Sequence, residues 1–302
     1  MSESENENQL AGLWVVILII IGILGYRTVV YFQQVPIQTS DAALYEKPEI
    51  NSKKESSLAK GSRVKVLKHK YNWVYVKTDK GKTGWTGTWM ISPNYDYPIK
   101  SLSQATIVID AGHGGDDSGA LSQDGQEEKK YTLKYSKQLA QKLRQKGARV
   151  YMTRTNDKTV SLSKRPELAE KVHADAFISF HFDSSPQDNT ASGFTTYYYH
   201  KKNGSLRLAK DVNSQLDSVG IDNRGVAYGN FLVLRDNDRP AILLESGYIN
   251  SDRDFSMISD KNYQNKVTSD VVKGLELYFD GKNENATVVS ESNYIFLLFN
   301  PI

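Results

Sequence analysis

Residues 106–120 read TIVIDAGHGGDDSGA. Thr106 to Ile109 are β-branched throughout, the composition of a strand buried on both faces. Gly112, Gly114 and Gly115 then let the backbone turn sharply with no side chains in the way. His113 is thereby presented at the carboxyl end of a strand, where open α/β sheets gather their ligands. Packing has no use for a histidine there, whereas a metal site does.

Downstream the chain alternates strands and helices. Strands are predicted at Arg149–Met152, Ala176–His181, Thr195–Tyr199 and Ala241–Glu245, and helices at Glu127–Lys146, Ser161–Val172, Ser205–Val219 and Asn262–Phe279. Leu133, Leu139 and Leu143 fall at helical spacing and Gly147 stops that helix, while Val267, Val271, Leu275 and Phe279 recur every four residues in the last one. This alternation predicts an α/β fold, a mostly parallel twisted sheet with helices on both faces.

Upstream lie two different regions. Leu10 to Phe32 is apolar, with Arg27 as its only charge, and is long enough for a membrane helix. Arg27 can snorkel, and Trp14 and Tyr26 stand as interfacial anchors. With no basic n-region and no A-x-A site, an uncleaved anchor is expected over a signal peptide. Residues 33–40 read as a linker. From Asp41 to about Pro93 a small all-β barrel is expected, with strands at Arg63–His69, Trp73–Thr78 and Lys82–Thr86 and a hairpin turn at Asp79-Lys80-Gly81. INSKKESS, residues 50–57, reads as polar loop, and at least two of Trp73, Trp85 and Trp89 as core.

Charge is unevenly spread. Residues 41–100 hold twelve Lys/Arg against six Asp/Glu, and residues 101–302 hold 25 against 26. The basic stretch suits an anionic partner or a solvated lysine-rich surface equally. The chain has no cysteine, which excludes disulfides and thiolate metal sites, so a metal must take His, Asp or Glu.

Two of the five histidines stand apart. His113 ends TIVID and its loop, and His181 ends AFISF. In a parallel sheet those ends share one edge. Glu245 ends the apolar strand AILLE, where a carboxylate is costly without a partner. Glu128 opens the helix after the glycine loop and returns near the same edge, though it equally suits the helix dipole there. Two imidazoles with one carboxylate form a hydrolytic zinc set with a fourth position open for water, leaving the other glutamate free as a general base. His69, between lysines, reads as exposed, and His173 and His200 read as structural.

VIDAGHGGDDSGA, EEKKYTLKYSKQLAQKLRQKGARVYMTRTND, SLSKRPELAEKVHADAFISFHFDS and AILLESGYINS, in unbroken order over about residues 104–280, resemble the zinc-dependent N-acetylmuramoyl-L-alanine amidases of the family-3 type. The resemblance implies zinc bound by His113, Glu128 and His181, with Glu245 as the catalytic glutamate. Lys129 after Glu128 matches the family's Glu-Lys pair and selects Glu128 over Glu127. Ser118 replaces a common proline, and Phe182 follows the ligand histidine where a small residue is usual. KGSRVKVLKHKYNWVYVKTDKGKTGWTGTWMI resembles bacterial SH3-like domains of cell-wall enzymes, which bind wall peptides or space a catalytic domain.

Together these readings give a tail at 1–9, a transmembrane anchor at 10–32, an SH3-like domain at 40–95, a zinc amidase domain at 104–280 and a C-terminal tail at 281–302. Peptidoglycan is the expected partner, with a membrane-protein activator as a further one and no nucleic acid. The wall substrate puts the catalytic domain outside the membrane of a Gram-positive bacterium. Rival readings are a zinc peptidase cutting within the stem peptide and a membrane-anchored wall-binding scaffold. A phosphate-binding loop is excluded because GHGGDDSG lacks the Lys-Ser/Thr and carries Asp116 and Asp117. No G-x-S-x-G supports a serine hydrolase.

Overall fold

The computed structural model of the chain describes residues 3–91, 99 and 101–298. The chain forms two compact units, Met1–Asp96 and Tyr97–Ile302.

The first unit opens with α1, Glu3–Phe32. Within it Gly12–Tyr31, 20 residues of mean hydropathy 2.4, is long and apolar enough to cross a membrane. At about 1.5 Å per residue it spans roughly 30 Å, a hydrocarbon core's thickness. Six strands follow: β1 Val35–Pro36, β2 Ala43–Tyr45, β3 Lys54–Ser57, β4 Arg63–Lys70, β5 Trp73–Thr78 and β6 Thr83–Gly87, closed by the short helix α2 Thr88–Ile91. They form an antiparallel sheet in the order β1-β4-β5-β6-β2-β3. Ile37, Leu44, Val64, Val74 and Val76 fill the core on one face with Met90 and Ile91.

Trp73 meets Tyr45 and Trp89 edge-on, and Tyr75 meets Trp85. Trp73 and Trp85 are buried, as expected. Two expectations are corrected here. The 33–40 linker contains β1, which pairs with β4. The polar loop at 50–57 contains β3, which pairs with β2. Both are edge strands, held by backbone hydrogen bonds and lacking a two-sided apolar pattern. His69, read as exposed, is half-buried.

The second unit carries β7 Thr106–Ala111, α3 Glu128–Gln145, β8 Arg149–Met152, α4 Lys164–Lys171, β9 Ala176–Asp183, β10 Phe194–Tyr198, α5 Ser205–Gln215, β11 Asn223–Tyr228, α6 Leu232–Arg235, β12 Ala241–Tyr248, α7 Asp252–Ser259 and α8 Lys261–Leu298. The sheet order is β11-β10-β12-β9-β7-β8. Every neighbouring pair is parallel except β10 with β12. This is the mostly parallel α/β sheet read from the alternation of elements.

Both faces are covered. Ile107, Ile109, Ile178, Phe180, Ile242 and Leu244 pack with the residues of α3, α5 and α8 in the larger core. Val108, Phe177, Ala241 and Leu243 pack with Ala169 of α4 and Val233 and Leu234 of α6. On α3 the apolar stripe is Tyr131, Tyr135, Leu139 and Leu143, with aromatic rings extending the leucine pattern by a turn. Val267, Val271, Leu275 and Phe279 line the buried side of α8.

Three elements escape the sequence pattern. β11 is a half-exposed edge strand with Gly225 at φ 88. Helices α6 and α7 are one to two turns long, too short for a periodic signal.

Candidate metal centre and active-site cleft

The parallel sheet delivers the chemistry to one edge. β7 leads into Gly112 and His113, β9 carries His181, and β12 carries Glu245, paired in register with His181 and hence on the same face. Glu128 arrives as the first residue of α3. His113 adopts φ 58, a left-handed conformation that swings its ring over the strand end.

Two glycines leave room for the rings. A Cβ on Gly112 would lie 2.3 Å from His181 Cε1. A Cβ on Gly119, at φ +69, would lie 2.6 Å from Glu128 Oε2 and 2.7 Å from His113 Cδ2.

Three donor atoms converge there. The ligand atoms of His113, Glu128 and His181 all lie within 4.8 Å of one another. His113 Nε2 is 3.0 Å from Glu128 Oε2, and His181 Nδ1 is 3.0 Å from Glu128 Oε1 and 3.1 Å from His113 Nε2. The carboxylate is held from behind: Ala120 N–H donates to Oε2 at 2.9 Å and Phe182 N–H to Oε1 at 3.0 Å. Burial would raise the Glu128 carboxyl, but hydrogen bonds and attraction to His113 and His181 outweigh it and hold Glu128 far below the usual carboxylate range. Burial would lower His113, yet Glu128 and Asp117 together raise it. An anionic carboxylate between two imidazoles whose nitrogens face a common point fits a divalent cation of zinc's ligand preference.

Glu127, its neighbour, faces outward and pairs with Lys129 Nζ at 3.4 Å. His69, His173 and His200 belong to no such group among the described residues.

Glu245 differs from Glu128. Part of its side chain lines the cleft, while Oε2 is shielded from solvent without a hydrogen-bond partner. Burial first, then repulsion from Glu128 and Asp183, pushes its carboxyl well above the ordinary carboxylate range. A buried carboxylate oxygen without a partner is costly in the metal-free state. A cation beside it would relieve that cost.

The cleft holds about 450 Å³. His113, Glu128, His181 and Glu245 sit at its base, with Leu162, Phe231 and Leu232 along its apolar walls. Phe182, the family departure, turns its ring into the core against Tyr135 at 5.1 Å and Tyr131 at 6.4 Å. Its backbone N–H serves Glu128, so the larger residue leaves the donor set intact.

The structure adds residues with no recognisable signal in the sequence. Asp117 Oδ2 sits 2.9 Å from His113 Nδ1, fixing the ring so that Nε2 faces the donor set. Its place four residues after a loop histidine was the only clue. Beneath the loop lies a buried polar network. Arg165 donates to Asp110 Oδ1 at 2.8 Å and to the carbonyls of Ala111 and His113. Arg154 donates to the carbonyls of Ala111, Gly112 and Lys129, bridging the His113 loop to the start of α3. The Thr153 hydroxyl also donates to Asp110 Oδ1, and the Ser179 hydroxyl donates to Oδ2.

Comparison with known proteins places this geometry. The N-acetylmuramoyl-L-alanine amidase family matches residues 107–277, and the bacterial SH3 domain family matches residues 40–92. A relative from Staphylococcus epidermidis, named "Probable cell wall amidase LytH", is 40% identical over 230 residues, covering 74% of this chain and 76% of the relative. The crystal structure of an N-acetylmuramoyl-L-alanine amidase from Clostridium difficile superposes with a TM-score of 0.57 at 37% identity, over 58% of this chain and 97% of that one. The CwlD amidase from Clostridioides difficile, solved in complex with the GerS lipoprotein, superposes with a TM-score of 0.55 at 28% identity, over 58% of this chain and 98% of that one.

Proposed function

The chain belongs to the N-acetylmuramoyl-L-alanine amidase family and cleaves the amide between N-acetylmuramic acid and L-alanine of peptidoglycan, and from that premise we propose that zinc held by His113, Glu128 and His181 serves the reaction with Glu245 as general base. One observation carries the proposal. Three convergent donor atoms stand beside a carboxylate whose Oε2 is buried and unpartnered.

When bound, zinc supplies Lewis acidity toward the scissile carbonyl and lowers the pKa of water toward ~7. The protein's own groups divide the remaining work. Asp117, on the outer nitrogen of His113, orients that imidazole. Glu245, kept protonatable by burial, takes a proton from the attacking water and returns it to the departing amine of L-alanine. Leu162, Phe231 and Leu232 line the cleft with apolar surface.

The test separates ligands from base. Purified full-length Glu245→Ala should retain stoichiometric zinc and lose hydrolysis, while His113→Ala and His181→Ala should lose both. Peptide release by Glu245→Ala at the wild-type rate would overturn the assignment of the base, and full zinc content in His113→Ala that of the ligands.

The organisation follows the same reading. Residues 10–32 anchor the chain in the membrane by one helix, residues 40–95 form the SH3-like domain, and residues 104–280 form the catalytic domain on the outer side, facing the wall of a Gram-positive cell. Protease accessibility of residues 104–280 in intact protoplasts tests that placement. A membrane-associated activator is a further partner, in keeping with the lipoprotein bound by the clostridial amidase. Co-purification that is lost when residues 10–32 are exchanged for an unrelated apolar helix would support it.

A further inference from the structure

The catalytic edge of the sheet continues past Glu245. Thr195 of β10 pairs with Glu245, and Asn223 of β11 pairs with Phe194. Arg224, next on β11, therefore lies at the same edge, two strands beyond Glu245. At about 4.8 Å per strand this is a lateral step of roughly 10 Å. Asn223 turns to the α5 side to bond Asn213, and Arg224, at the irregularity where the β10–β11 register shifts, turns instead to Tyr248 of β12.

Arg224 is exposed but held. Its Nη1 donates to the Tyr248 hydroxyl at 2.6 Å, and its guanidinium lies 5.4 Å from the centre of that ring. A Cβ on Gly193 would come within 2.7 Å of its Cγ and Cδ, so the stem packs tightly on bare backbone. Tyr248 pairs in the sheet register with Asp183, which lines the cleft two residues after His181. This chain ties the guanidinium to the cleft wall. Among the described residues Arg224 makes no ion pair, and Asp222, two residues earlier, pairs with Arg253 at 3.5 Å. A guanidinium offers five donors in a planar fork suited to a carboxylate. Tyr248 takes one of them.

The substrate's chemistry says where a carboxylate can come from. The lactyl carboxyl of N-acetylmuramic acid is consumed in the scissile amide, so near that bond only the peptide can carry one. An extended peptide advances about 3.4 Å per residue, which brings the residue after L-alanine to roughly 7 Å from the scissile carbonyl.

We propose that Arg224, seated on Tyr248, binds the free carboxylate of the acidic residue that follows L-alanine in the stem peptide. The proposal rests on the amidase reading and assigns the β10–β11 end of the catalytic sheet edge, beyond the residues that line the cleft, to the peptide. Stems whose second residue is amidated lose this contact. Arg224 is thus a specificity-determining residue for the acidic form.

The experiment compares two muramoyl peptides that differ only in that group, a free carboxylate or its primary amide, on the zinc-loaded full chain. Wild type should favour the acid by roughly two- to fivefold in kcat/KM, mainly through KM, as expected for an ion pair to an exposed arginine. Arg224→Gln should lower kcat/KM for the acid to that of the amide, with kcat for both within about threefold of wild type. Arg224→Lys should restore part of the preference. Binding of the product dipeptides, L-alanyl-isoglutamate against L-alanyl-isoglutamine, reads the same subsite by calorimetry without turnover and should show the same loss. Equal handling of the two forms by wild type, or equal weakening of both in Arg224→Gln, would reject the subsite while leaving cleavage of the L-alanine bond intact.

Discussion

Replacing Glu245 by Gln tests the proposed general base in a nearly isosteric way. The register pairs Glu245 with His181, one of the proposed zinc ligands, while Glu245 stands outside the group of converging donor atoms. Gln keeps the volume and cannot accept a proton, so the ligand set should survive. Loss of a positioned general base slows turnover about 10²- to 10⁴-fold, or roughly 3–5.5 kcal/mol of barrier.

The same substitution has a signed effect on stability in the metal-free protein. Burial and the nearby Glu128 and Asp183 charges raise the Glu245 carboxyl well above its unfolded value. A raised carboxyl favours the fold below the unfolded pKa, and that contribution is lost as pH rises through the folded pKa. Metal-free wild type should therefore weaken, relative to Glu245→Gln, by up to about 1.4 kcal/mol per pH unit above pH ~4.5. The gap shrinks once zinc is bound, because a cation stabilises the ionised form.

Muropeptide turnover with zinc-loaded protein and urea unfolding of chelated protein from pH 5 to 8 measure the two effects. Turnover of Glu245→Gln within tenfold of wild type would refute the base. A pH-independent stability gap would refute the burial argument.

Other consequences follow from the same geometry. Gly119→Ala places a Cβ 2.6 Å from Glu128 Oε2, whereas Gly125, at φ +76, has nothing within 4 Å. Both substitutions cost about 1–2 kcal/mol of backbone strain, but only Gly119→Ala should weaken zinc affinity, as read by competition with a chromophoric chelator. Asp117→Ala should lower zinc affinity by about tenfold, the low end of the range for an outer partner, because Asp117 is 58% exposed. Zinc at a hundred times its Kd should stabilise the wild-type fold by about 2.7 kcal/mol, and calorimetry of the His181→Ala protein should show no such gain.

What could be read from the sequence follows from burial. TIVID, AFISF and AILLE lie in the central strands β7, β9 and β12, buried on both faces, so their apolar runs are continuous and a polar residue at their ends stands out. That contrast exposed His113, His181 and Glu245. β3 and β11 were missed because edge strands are stabilised by backbone pairing and need no apolar alternation. Glu128 was ambiguous for a local reason: an acidic residue in the first turn of a helix has a structural use of its own. Only the fold shows its two oxygens turned to the two histidines. Arg154, Arg165 and Asp110 carry no sequence signal because their partners are backbone carbonyls and side chains some twenty to seventy residues away. Phe182 stands next to His181 where the family usually has a small residue. Strand alternation sends its ring to the opposite face, against Tyr131 and Tyr135.

The most direct test of the account is mass spectrometry of the products formed by the zinc-loaded full chain from a defined muramoyl tetrapeptide. The account predicts N-acetylmuramic acid with a free lactyl carboxyl and a peptide beginning with the free amine of L-alanine, both abolished by chelation and restored by zinc. Products in which L-alanine stays on the lactyl group and a new amine appears further along the stem would contradict it.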